Sequence, residues 1–249
     1  CSGIQVSADL MRNSGYALLI SLVIQLVATY GSKLLFRRWP REKASVASYA
    51  MIVSNSSFIG IPVAEAIYSH LGVLYTAIFQ IPIRFTMWSA GLALFTNVSR
   101  KETIKKVVTH PCIIACEVGF VLMVLGVTLS GFVGNTVSAL SKCTGPLAML
   151  VIGAILADAD LKQLFEKKTL IFCFLRLIAF PLLVYAALYL LKLDSTITGI
   201  AVILTAMPGG STTAILAQKY GADAEYGAAL VFASTLLSIV TIPLLSLLL

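Results

Sequence analysis

Two runs in this sequence place helix-breaking residues beside small polar ones within apolar surroundings. They are Ser54-Asn55-Ser56-Ser57-Phe58-Ile59-Gly60-Ile61-Pro62 and Ala206-Met207-Pro208-Gly209-Gly210-Ser211-Thr212-Thr213. Proline removes a backbone donor and clashes with the preceding turn, and glycine weakens a helix further. Neighbouring Asn, Ser and Thr side chains can bond the freed backbone groups. If both helices unwind here, each exposes half-helix ends. Half-helix N-termini attract anions, and unwound carbonyls can hold a cation. Asn55, Ser56, Ser57, Gly60 and Pro62, with Pro208, Gly209, Gly210, Ser211 and Thr212, are therefore candidate substrate-binding residues. The plainer alternative is a pair of proline kinks.

Ionisable groups inside apolar runs form a second set of candidates, because a charge in hydrocarbon is costly. Arg84 stands near the centre of its run, about 18 Å from either end at 1.5 Å per residue. A guanidinium at that depth suits a carboxylate substrate. It also suits helix-end carbonyls or an aqueous vestibule. Glu65, three residues after Pro62, is a candidate protonatable coupling group or a group that reaches the outer surface. Glu117 and Arg176 share a depth of roughly 10 Å, and their opposite signs suggest mutual neutralisation.

The elements that must position these residues follow from composition. Of 249 residues, 59% are hydrophobic and 12% charged, against about 25% charged in soluble domains. Eight apolar stretches, near 15–36, 45–69, 73–96, 111–130, 138–157, 169–191, 196–219 and 225–248, approach the ~20 residues that span a bilayer as helix. No alternating ten-residue pattern suggests a barrel. The expectation is an all-α membrane protein.

Several function classes find no support. The net charge of +7 sits in short loops between apolar runs, which reads as topogenic charge and not as a nucleic-acid surface. Cys1, Cys112, Cys116, Cys143 and Cys173 are odd in number and scattered, so no disulfide framework is expected. Cys112 and Cys116 lack a His or carboxylate to complete a metal site and read as small packing residues. His70 and His110 lie near loops, and no nucleophile–base pair or paired carboxylates suggest an enzyme. No phosphate-binding Gly-Lys-Ser/Thr motif suggests ATP coupling. No cofactor or metal is expected, though coupling to protons or sodium is open. Asp158 and Asp160 sit at a helix end and not mid-span, which disfavours a cation/proton antiporter.

Arg37, Arg38, Arg41 and Lys43 follow the first stretch, Arg100, Lys101, Lys105 and Lys106 the third, Lys162, Lys167 and Lys168 the fifth, and Lys219 the seventh. The opposite side has only Arg12, Lys142 and Lys192. The basic loops are therefore expected in the cytoplasm of a multi-pass cell-membrane protein, with the C-terminus outside. The Asn97-Val98-Ser99 sequon then reads as chance.

The chain also resembles itself at an offset of 151. Ala8-Asp9-Leu10 reappears as Ala159-Asp160-Leu161, Tyr75 matches Tyr226, and the interrupted stretch at Asn55 falls on that at Ala206. The offset moves each helix five places, an odd number, so matched helices cross in opposite directions. That is an inverted repeat, as in many secondary transporters. The repeat predicts a five-plus-five fold with about eight helices present and about two expected upstream. Residues 1–96 are the remainder of the first repeat, 97–110 a basic cytoplasmic loop, and 111–249 the second repeat.

Asn55-x-x-Phe58-x-Gly60-x-Pro62 resembles the signature of the auxin efflux carrier family. So do Ala206-x-Pro208, Tyr220-Gly221-Ala222-Asp223, Ser234-Thr235-Leu236-Leu237-Ser238 and Pro243, and the Gly145-Pro146-Leu147-Ala148 to Gly153-Ala154-x-Leu156 helix. The resemblance implies ten helices, two of them broken and crossed, divided into a scaffold and a transport domain. It implies a secondary carrier of small organic anions, mono- or dicarboxylates such as malate and malonate in bacterial members. A homodimer is an open possibility. The short loop at 97–110 is similar to bacterial-type members and unlike the long loop of many plant carriers. The alternatives are a sodium-coupled bile-acid-like symporter and a non-transporting membrane sensor of the same fold.

Overall fold

The computed structural model describes residues 8–95, 131–158 and 161–249, with Ile114, Val118 and Leu122. Glu117, Cys1, Cys112, Cys116, the sequon and the 97–110 loop, where the boundary between repeats was expected, lie outside the described residues. Among the described residues the chain is helical, with no β-strand beyond one isolated bridge.

Helix α1 spans Ala8–Leu35 and α2 spans Arg41–Ile52. After a break comes a π turn, Ser56–Gly60, leading into α3, Ile61–Thr86. This last segment is not one straight rod. Ser69 has φ 54° and ψ −140°, and the chain reverses there. The Gln80 amide nitrogen donates to the Ser56 carbonyl at 3.2 Å, whereas a straight helix would separate residues 24 apart by about 36 Å. Residues 56–68 and 70–86 are thus two antiparallel arms, in line with the separate second and third stretches expected from the sequence.

The second half begins with α4, Gly131–Asp158. Then follow α5, Lys167–Phe174, a π turn at Leu175–Ala179, and α6, Phe180–Leu190. Helix α7, Ser195–Thr205, starts where the Asp194 carboxylate accepts from the Thr196 and Ile197 amides, a side-chain N-cap. A second break leads to α8, Thr212–Lys219, and a turn with Gly221 at φ 70° leads to α9, Ala224–Ser246, capped by Asp223. The order of long helix, half-helix, break, half-helix, tight reversal and long helix occurs in each half.

Four helices among the described residues are long and apolar enough to cross a membrane: Arg12–Leu35, Ser56–Leu94, Lys167–Leu190 and Ala224–Ser246. The first falls on a lipid-like divide. Leu19, Val23 and Tyr30 of α1 are exposed, while Ser21, Gln25, Thr29 and Ser32 are buried. The spacing of these four puts them on one face. Ser21 donates to the Phe79 carbonyl at 2.5 Å, so this polar face packs against the second arm of α3. The half-helices α2 and α7 lie deepest: every residue of 46–52 and 197–205 is buried. Both are mostly apolar, as a helix apolar on all sides is a buried one, and Tyr49, Ile52, Ile200, Leu204, Phe172 and Leu177 belong to one buried core.

Basic residues gather at one end of the bundle. Lys43 at the start of α2 pairs with Glu166 at the start of α5 at 2.6 Å, and Glu166 also meets Lys168 at 3.7 Å. Gln163 reaches Glu225 at the start of α9 at 3.4 Å. The clusters near residues 37–43, 162–168 and 219 therefore share one face of the fold.

Candidate functional site

The two interrupted helices cross, and their backbones bond directly at the crossing. Ser54 and Gly209 form an antiparallel bridge. The Asn55 amide donates to the Pro208 carbonyl at 2.8 Å, and the Gly210 amide donates to the Val53 carbonyl at 2.9 Å. An antiparallel bridge requires the two chains to run in opposite directions where they meet, as an inverted repeat demands.

The breaks lie slightly upstream of the expected spans. Helical geometry is lost at 53–55, where Val53 is extended (φ −104°, ψ 108°), and at 206–211. Pro62 does not end a helix. It is exposed and follows directly on the Ser56–Gly60 π turn, whose helical backbone continues into α3. A proline there removes one helical donor, and a π turn is one of the local adjustments that accompany such a loss. Thr212 and Thr213 likewise open α8 and do not belong to the unwound segment.

Two glycines permit the close approach. A Cβ on Gly60 would lie 2.9 Å from Leu204 Cδ2 and 3.3 Å from Met207 Cγ. One on Gly210 would lie 3.0 Å from Val53 Cγ1 and 3.1 Å from the Val53 carbonyl oxygen. Side chains from the flanking helices hold the crossing. Ser234 of α9 accepts from the Gly209 amide at 3.2 Å and donates to the Leu230 carbonyl at 2.6 Å. Tyr49 of α2 donates to Thr212 Oγ1 at 3.1 Å. Ser234→Ala would leave the buried Gly209 amide without a partner. The expected result is a loss of about 1–3 kcal/mol, read as a lower Tm in detergent. An unchanged Tm would show that the bond does not hold the break.

The charged residues arrange themselves differently from the sequence expectation. Arg176 was expected to neutralise Glu117, which lies outside the described residues. Instead it is buried, 3% exposed, and reaches both breaks: Nε donates to the Met207 carbonyl at 2.9 Å and Nη1 to the Met51 carbonyl at 2.8 Å. The physical reason is that α2 and α7 both end here. Met51 lies in the last turn of α2 and Met207 in the unwound segment just after α7, and one planar guanidinium serves both carbonyls. Arg84 is exposed and bonds Gln80 Oε1 at 3.3 Å. Gln80 Oε1 also accepts from Ser57 at 2.8 Å, so Arg84 touches the first break through one intermediary. Glu65 is exposed and four residues before the Ser69 reversal, roughly 15 Å along the helix from Asn55. The structure does not bring it to the crossing.

Asn55, Ser56, Gly60, Pro208, Gly209, Gly210 and Ser211 are all buried there, and Ser57 and Thr212 are half-buried. Asn55 Nδ2, Ser211 Oγ and Thr213 Oγ1 are buried with no hydrogen-bond partner among the described residues. Sequence reading passed over Gln80, Gln25 and Tyr49, named Ser234 and Thr213 only within longer motifs, and gave Arg176 another role. A polar amide or hydroxyl inside an apolar span was the available signal, and Ser21, Gln25, Thr29 and Ser32 at near-helical spacing made it strongest in α1.

The family described as "Membrane transport protein" matches residues 5–109 and 96–246, nearly the whole chain. An uncharacterized transporter of Methanothermobacter thermautotrophicus is 28% identical over 200 residues. That match covers 79% of this chain and 65% of the relative, so the shared region is somewhat less than two thirds of the relative's length. With the crossed breaks, the apolar helices and these matches together, the chain belongs to the auxin efflux carrier-like membrane transport protein family.

Proposed function

We propose that this protein is a secondary transporter of small organic anions, mono- or dicarboxylates, which it moves by alternating access about the crossed breaks. The observation that carries the reading is the balance of donors and acceptors at the crossing. Carbonyls at the ends of α2 and α7 would favour a cation, but Arg176 occupies those of Met51 and Met207. Among the described residues, what remains unpartnered on buried side chains at the breaks can donate: Asn55 Nδ2, which only donates, and the hydroxyls of Ser211 and Thr213, which donate or accept. The N-terminal ends of the Ser56–Gly60 turn and of α8 add their partial positive charge. A carboxylate can accept from all three, whereas Asn55 Nδ2 offers a metal cation no ligand.

The remaining features of the proposal are a cell-membrane location with the basic face of the bundle in the cytoplasm, and coupling to protons or sodium. Asn55, Ser56, Ser57, Gly60, Pro208, Gly209, Gly210, Ser211 and Thr212 form the binding region in this reading, with Arg84 contributing through Gln80.

The test is counterflow in proteoliposomes. Vesicles loaded with an unlabelled short mono- or dicarboxylate should accumulate the labelled species faster than empty ones, with saturation. Absence of counterflow for every small carboxylate, together with transport of a neutral or cationic solute, would overturn the proposal.

A further inference from the structure

Beside the crossing lies a cavity of about 10 Å³, the size of one water or one carboxylate oxygen. Its polar lining comes from Gln25 of α1, Ser54 and Thr205 at the two breaks, and Arg176. These four are two pairs at the offset that relates the halves of the sequence: Gln25 with Arg176, and Ser54 with Thr205. The cavity therefore lies where equivalent positions of the two repeats converge. Gln25 is 5% exposed, and its Oε1 has no hydrogen-bond partner among the described residues; a half-turn of the amide exchanges this acceptor for the Nε2 donor that an anion's oxygen needs.

We propose that Arg176 is the fixed counter-charge for the transported anion and that this cavity receives one of the anion's oxygens. The inference rests on the anion-transport reading and adds to it the residue that sets the sign of the substrate. The argument is a charge balance. Two helix C-termini contribute about −0.5 each, two helix N-termini about +0.5 each, and the guanidinium about +1. Among the described residues the sum is near +1 with Arg176 and near zero without it. No carboxylate among the described residues pairs with Arg176, whose hydrogen bonds run to two neutral carbonyls. A buried charge of that kind needs an opposite charge close by, and a carboxylate arriving at the crossing supplies it. A guanidinium keeps further N–H groups after bonding two carbonyls, which an ammonium with three donors does less well.

Three variants test this in proteoliposomes, with a short dicarboxylate as the probe and Tm in detergent measured alongside. Arg176→Gln should weaken the probe's apparent affinity by about tenfold or more, and Arg176→Lys by less, because it retains the charge. Should Arg176→Gln fail to fold, Gln25→Glu decides. It sets a carboxylate against Arg176 inside the same cavity, so the protein supplies its own counter-ion. Tm should be maintained or raised while affinity for the probe falls by about tenfold or more. A folded Gln25→Glu protein with wild-type affinity would overturn the proposal and leave Arg176 as a residue that only caps the helix ends. If the unmodified protein transports no carboxylate at all, the anion reading itself fails, and that result is distinct from a carrier insensitive to Gln25→Glu.

Discussion

Gly210→Val is expected to abolish transport and lower Tm, whereas Gly31→Ala leaves both nearly unchanged. At Gly210 even a Cβ would meet Val53 Cγ1 at 3.0 Å and the Val53 carbonyl oxygen at 3.1 Å. That carbonyl cannot retreat freely, because the Gly210 amide is bonded to it at 2.9 Å. Valine adds two methyl groups to the same gap, so the chains must separate. Separation breaks the bridge between Ser54 and Gly209 and pulls the Asn55 amide from the Pro208 carbonyl. Overpacking of this kind costs about 1–3 kcal/mol, and the lost backbone bonds leave buried groups unpaired. A methyl at Gly31 of α1 meets nothing within 4 Å, and alanine favours a helix over glycine by about 1 kcal/mol. The pair separates damage at the crossing from the general effect of removing a glycine. Wild-type counterflow in a folded Gly210→Val protein would show that close contact of the two breaks is dispensable.

The crossing was legible in the sequence because its signals are local. Pro208 with Gly209 and Gly210, and Asn55 with Gly60, mark lost helix wherever they occur within an apolar run, and their shared register in a repeat pairs them. The first break was read too far downstream: the run marked in the sequence ends at Pro62, whereas helical backbone resumes at Ser56. Pro62 drew the expectation downstream, but helical backbone continues through it from the π turn. Depth within a span was also legible, since it follows from residue count. Direction around the helix axis was not. A membrane helix faces apolar lipid on one side and an apolar bundle on the other, so Leu, Ile and Val do not reveal which side is which. Leu19 and Val23 are exposed while Ile20 and Ile24 are buried in the same two turns.

That loss of azimuth accounts for the arginines. Arg84 and Arg176 both stand inside apolar runs, and sequence depth favoured Arg84 for the site. Arg176 lies in a π turn, Leu175–Ala179, where the wider winding changes the direction in which side chains leave the helix. Such a turn has no sequence signature here, and it precedes Pro181, which occupies the first turn of α6. The result is that the arginine expected to neutralise Glu117 meets two carbonyls from chain segments more than a hundred residues apart. Gln80 was missed for a related reason. An uncharged amide raises less suspicion than a charge, yet it ties Ser56, Ser57 and Arg84 together.

Asn55→Asp is expected to suppress anion transport by about 100-fold or more near neutral pH, a size set by like-charge repulsion in a low-dielectric site. Asn55 is 3% exposed, and its Nδ2 is one of the unpartnered donors at the crossing. The two side chains have the same shape, so packing against the second break is retained. What changes is sign: a donor gives way to a carboxylate where the substrate's own carboxylate must sit. Asn55→Leu, which lacks both donor and charge, should be impaired less than Asn55→Asp, because it removes a donor without adding repulsion. Initial rates of carboxylate counterflow measured for the three proteins are the check. Equal activity of Asn55→Asp and the unmodified protein at neutral pH would remove Asn55 from the binding region, and with it the donor balance on which the anion reading stands.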